Sequence, residues 1–109
     1  EANHPPTPVL NGDRSRKALA ITAKPGDTIT LDGTGSSDVD MNALTYQWAY
    51  YPEASTYAGE LAIKDADQVS IRFVVPNDAS GKTLHVLLIL SDDGTPTLTR
   101  YRRMVIQCQ

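Results

Sequence analysis

Cysteine is all but absent: Cys108, next to the end, is the only one in 109 residues. An internal disulfide is therefore impossible, and metal sites built from several cysteines are excluded. The fold has to be held by its core alone. Aromatic residues are scarce, with one Trp and one Phe. No apolar run approaches the ~20 residues of a membrane-crossing helix. The longest, Val86–Leu90, suits a buried strand. Positive charge is also short: 10 Lys and Arg stand against 13 Asp and Glu, a net charge of −3. General affinity for nucleic acid or an anionic membrane needs a positive field, so neither is expected as a partner. Catalytic signatures are missing as well. There is no Gly-x-Ser-x-Gly elbow, and the pair Gly33-x-Gly35 lacks the third glycine and the following helix of a phosphate loop. His4 lies in a Pro-rich lead, and His85, in the most apolar strand, is expected to be a structural histidine bonded to a neighbour. Nothing arranges a base beside a nucleophile, so no enzyme is expected.

What the chain does have is alternation. Residues 1–8 carry three prolines and read as an extended linker, with one domain expected over 9–109. The start at Glu1, without Met, suits a mature fragment or an excised domain. Val9-Leu10 is expected to open a short strand that ends at Asn11-Gly12-Asp13. Further strands are expected over 19–23, 28–31, 44–50, 69–75, 83–91 and 99–107, each with apolar residues at every second position. Pro25-Gly26, Pro76-Asn77, Ser80-Gly81 and Gly94 mark turns between them. In 83–91, Leu84, Val86, Leu88 and Leu90 face one way, and Leu87 and Ile89 the other, as in a central strand or one covered on its outer side. No segment shows a convincing 3.6-residue period. About seven short strands predict an all-β, immunoglobulin-like sandwich of two antiparallel sheets.

Two stretches carry a resemblance. LDGTGSSDVDMNALTYQW (31–48), followed later by LHVLLILSDDG (84–94), resembles a PKD-type domain, the immunoglobulin-like module of the polycystic kidney disease repeat. The shared features are Asp32, Ser36-Ser37-Asp38, Tyr46, Trp48 and Ser91-Asp92. After its Trp that family continues with Asp and a Phe-Gly-Asp turn, whereas here the chain reads Ala49-Tyr50-Tyr51-Pro52-Glu53. With the opening NHPP, QWAYYPEASTYAG and DDGTPTLTRYRRMVI, the chain is similar to a narrower group. These are the C-terminal domains of bacterial secreted cellulose-binding proteins that carry a nucleoside-hydrolase-like N-terminal domain. The resemblance implies a non-catalytic accessory module, secreted or periplasmic, that binds a polysaccharide such as cellulose or packs on the hydrolase-like domain. The alternative is a purely structural module with calcium-stabilised loops.

Three sets of side chains are candidates for a site. Trp48 shares a strand face with Leu44 and Tyr46 and is expected in the core. Tyr50, Tyr51 and Tyr57 lie at or beyond the strand's end, where the chain reaches the surface. Sugar rings stack on aromatic faces and take hydrogen bonds from neighbouring polar groups, for which Glu53 and Arg103 could serve. The same tyrosines could instead pin an irregular loop or face a second domain. Asp38, Asp40 and Asn42 have the spacing of the first ligands of a calcium loop, but Ala43 and Ala49 stand where an EF-hand needs Gly and Glu. The PKD-type resemblance implies a calcium site shared by this loop with Asp92 and Asp93. Ordinary turn chemistry explains the same residues. Arg100 and Arg102 share one face of the last strand and Arg103 the other, and such charges commonly protect an edge strand.

Overall fold

The computed structural model describes residues 6–13, 18–38, 43–52, 54–59, 61–94 and 97–109. Six strands appear among them: β1 (Leu19–Ala23), β2 (Thr28–Asp32), β3 (Leu44–Tyr50), β4 (Ser70–Val74), β5 (Thr83–Asp92) and β6 (Thr99–Cys108). They form a four-stranded sheet in the order β1-β6-β5-β3 and a two-stranded sheet of β2 and β4. The architecture is an immunoglobulin-like β-sandwich. All pairs are antiparallel except β1 and β6, which run parallel in a register that sets Leu19 beside Met104 and Ala23 beside Cys108.

Period-two sequence becomes two-faced sheet directly. On β5, Leu84, Val86, Leu88 and Leu90 are completely buried. The register places Trp48 opposite Leu88, Val86 opposite Met104 and Leu84 opposite Ile106. The second sheet closes over them with Leu31, Ile71 and Phe73, joined by Val75 just beyond β4. Cys108 belongs to this core as a small buried residue. Burying a side chain such as Leu or Phe contributes roughly 1.5–3 kcal/mol, so this shared layer is the main term that holds the sheets together.

Three expectations need correction. The strand expected at Val9-Leu10 is a tight turn instead. Asn11 and Gly12 both adopt positive φ, 49° and 81°, and Leu10 and Asp13 exchange backbone hydrogen bonds of 3.0 and 2.9 Å. Asn-Gly is the preferred pair for such a turn, and the bridge is too short to be a strand. Val69 is exposed rather than inward, because the chain enters β4 only at Ser70. Finally, β6 is an edge strand only in part: β1 pairs with its Met104–Cys108 half, whereas the arginine-bearing half has β5 alone beside it among the described strands, and Arg102 there is buried rather than solvated.

Arg102 stands in one row with Leu88 and Trp48. One guanidinium nitrogen donates to the Asp13 carbonyl at 2.7 Å and the Pro8 carbonyl at 3.4 Å, and the other pairs with the Asp13 carboxylate at 3.1 Å. Residues 6–13 are strapped to the sandwich in this way. Pro6, Val9 and Leu10 are buried beneath the strap, and Thr7 exchanges backbone hydrogen bonds with Ser37.

Candidate functional site

Trp48 sets the boundary between core and surface. It is 1% exposed, its indole N–H donates to the Gln68 carbonyl at 2.8 Å, and its backbone N–H donates to the Ala66 carbonyl at 2.7 Å. The only Trp therefore packs the core and pins the 61–68 segment along the outer edge of β3. Strict alternation then sends Tyr50 inward and Tyr51 outward.

The expected sugar-binding residues divide between these two faces. Tyr50 and Tyr57 pack against the core. The Tyr50 hydroxyl reaches the Tyr57 carbonyl at 3.5 Å, and the Tyr57 hydroxyl donates to the Asp78 carboxylate at 2.7 Å. That hydrogen bond to a carboxylate, with some desolvation, raises the Tyr57 phenol above its ordinary pKa. Beside β3, Trp48, Tyr50, Pro52, Leu61 and Ile63 line an open, mainly apolar cleft of about 600 Å³. Glu53 lies outside the described residues.

Tyr51 and Arg103 meet on the other face. The Tyr51 N–H continues the ladder of β3 by donating to the His85 carbonyl at 2.8 Å, which brings the ring over the outer surface of the four-stranded sheet. Arg103 faces out beside Leu87, and its guanidinium carbon lies 5.4 Å from the centre of the Tyr51 ring. A cation at that distance from an aromatic face is attracted by the ring quadrupole, which orders both side chains. His85 projects onto the same face opposite Val105. Its Nδ1 is buried and has no hydrogen-bond partner among the described residues. Burial, and then the Arg103 charge, hold the imidazole below its usual pKa, so it is neutral at pH 7.

Of the expected calcium ligands, Asp40 and Asn42 lie outside the described residues. Asp93 does reach the loop before β3, accepting the Ala43 N–H at 2.9 Å. Asp92 is buried and spends one carboxylate oxygen on the Gly94 and Leu98 amides, at 3.1 and 3.0 Å. Asp38 is buried as well. No group of three or more His, Cys, Asp or Glu among the described residues is arranged to hold a metal ion. The Gly94 and Leu98 bonds of Asp92 are those of a turn-forming carboxylate, whereas Asp93 ties its turn to the segment before β3.

Sequence pattern did not single out Tyr101. It is 62% exposed and projects from β6 on the face that carries Arg103. An aromatic two positions before an outward Arg was the available signal, but alternation alone does not distinguish a bare ring from a covered one.

No curated protein matches the chain. A solved structure does: a nucleoside hydrolase-related hypothetical protein from Saccharophagus degradans that is associated with carbohydrate metabolism. It superposes with a TM-score of 0.96 at 42% identity, over 99% of this chain and 26% of that one. This chain thus spans about a quarter of that relative. Residues 28–108, from β2 to the end of β6, match the family described as the C-terminal domain of the cellulose-binding protein Sde0182. The chain belongs to that family of C-terminal domains.

Proposed function

We propose that this chain is a non-catalytic accessory module that binds polysaccharide, with cellulose the first ligand to test, within a larger secreted or periplasmic bacterial protein. The observation that carries this reading is the Tyr51–Arg103 pair on the open face of the four-stranded sheet. A tyrosine ring offers an apolar plane to the C–H face of a sugar, and the guanidinium beside it offers N–H donors to the hydroxyls. Because each orders the other, less side-chain entropy is lost on binding. The family's description as cellulose-binding, and the relative's association with carbohydrate metabolism, support the ligand class. Tyr50 and Tyr57, turned to the core, hold the 51–57 loop in place and are assigned no ligand contact.

A second reading is favoured by the length of the matched relative, of which this chain spans 26%. In it, the same sheet face packs on a nucleoside-hydrolase-like domain. The two readings separate experimentally. Under the first, the isolated chain is retained on microcrystalline cellulose, and Tyr51→Ala lowers retention about tenfold, the loss of one stacking contact worth ~1–1.5 kcal/mol. Absence of retention on cellulose and on a panel of other polysaccharides would leave domain packing as the function.

A further inference from the structure

The sheet register extends the site beyond the Tyr51–Arg103 pair. Tyr101 lies two residues before Arg103 on β6, opposite Ile89, and is the most exposed large hydrophobic side chain among the described residues. Among the described strands β1 pairs with β6 only over Met104–Cys108, so Tyr101 has β5 on one side and stands at the margin of the sheet. Gln47, also exposed, occupies the same row across β5. With strands ~4.8 Å apart and a rise of ~3.4 Å per residue, Tyr51 and Tyr101 stand about 17 Å apart on the sheet diagonal. Arg103 lies between them.

We infer that this face holds one extended glycan chain along the Tyr51–Arg103–Tyr101 diagonal. Tyr101 is the second stacking platform, and Gln47, two strands away in the same row, is a hydrogen-bonding group flanking the diagonal. The inference rests on the polysaccharide-binding reading above and specifies its ligand: a linear chain of several rings rather than a mono- or disaccharide. Two features of the face select this occupant. First, Tyr51, Arg103 and Tyr101 lie on an outward sheet surface, so a single ring would leave most of its own surface in water, and affinity must be collected from several rings. Second, its aliphatic residues are already partly covered. Leu87, Ile89 and Val105 are half-buried, so the apolar surface that remains fully in water is chiefly the Tyr101 ring. A protein interface buries a contiguous apolar patch at its centre. Here the exposed groups are a ring and an amide held apart from each other, with a half-buried guanidinium between the two tyrosines, which suits a ribbon with apolar faces and hydroxyl edges.

The test is calorimetric titration of this chain, as wild type, Tyr51→Ala, Tyr101→Ala and Tyr101→Trp, with cello-oligosaccharides of increasing length. Affinity should climb with length until the ligand spans both rings. Tyr101→Ala should weaken the longest ligand about tenfold and leave the weak binding of cellobiose unchanged. Tyr101→Trp should bind the long ligand at least as well as wild type. The ring is exposed, so all Tyr101 variants should melt with the wild type, and a loss of affinity then reports on contact rather than folding. If Tyr101→Ala binds every length as wild type does while Tyr51→Ala does not, the diagonal is wrong and the polysaccharide reading stands. If wild type binds neither the oligosaccharides nor cellulose, both fall.

Discussion

Trp48, Arg102, Cys108 and His85 show how a single side chain can take opposite roles according to what lies beside it. Trp48 is an aromatic in the family of a cellulose-binding protein, yet it is enclosed by core and bonded to Gln68, so its role is cohesion. Trp48→Phe removes that hydrogen bond and leaves a void. It should cost about 2–3 kcal/mol in urea unfolding, and Trp48→Ala about 3–5. Arg102 is buried because three acceptors from residues 8–13 converge on it. Lysine has no planar fork to reproduce that geometry, so Arg102→Lys should destabilise by about 1–3 kcal/mol while ligand binding by Tyr51 persists. Cys108 has a thiol pushed up by burial, so it should resist alkylation in the native state and react rapidly in denaturant. His85 gives a pH dependence whose sign follows from its depressed pKa. The unfolded chain takes up the proton near pH 6.5, and the folded one resists it. Stability should therefore decline as pH falls below about 6.5 and be insensitive to this residue above it. Chemical unfolding midpoints across that window, flattened in His85→Gln, would verify it.

At the scale of elements, turn chemistry accounts for the difference between expectation and structure near the start of the chain. Val9-Leu10 looked like a strand because two apolar residues preceded a turn signal. The signal was stronger than the run. Asn11 and Gly12 close a two-residue turn, Leu10 enters the core, and Asp13 is delivered to Arg102. Gly12→Ala should cost about 1 kcal/mol through backbone strain at φ +81°, visible as a lower melting temperature, even though a Cβ there meets no neighbour. The central position of β5 was readable from Leu87 and Ile89 on its second face. The position of β6 was not. Its arginines lie on the half that β1 leaves unpaired, but charge pattern is silent about the parallel pairing of β1 with Met104–Cys108. Arg102 in particular reads in sequence like its neighbours Arg100 and Arg103, and only the arrival of residues 8–13 above the sheet distinguishes it.

For the whole molecule, one core serves both sheets and the strap at residues 6–13. Removing residues 1–13 takes away buried Val9 and Leu10 and leaves the Arg102 guanidinium buried without Asp13. That truncation should lower stability by several kcal/mol and shift unfolding as a single transition rather than release an independent segment. The net charge of −3 bears on binding as well. Retention on a neutral glycan through ring stacking and hydrogen bonds involves no counterion release, so cellulose retention should change little between low and moderate salt. A steep loss with salt would point to an acidic ligand held by Arg103 instead.

Alternation and turn residues determined the all-β class, all six described strands to within a residue at each end, and the inward side of most of them. Period-two patterning is a local property, and a one-residue slip would expose the whole core. The sequence also placed Trp48 inside and Arg103 on the face opposite Arg102. Tertiary structure alone decided that Tyr51 meets Arg103 while Tyr57 turns to the core, that Tyr101 stands bare, and that Arg102 is buried. Those outcomes depend on which strands become neighbours and in what register. The spacing of residues along one strand does not encode that information.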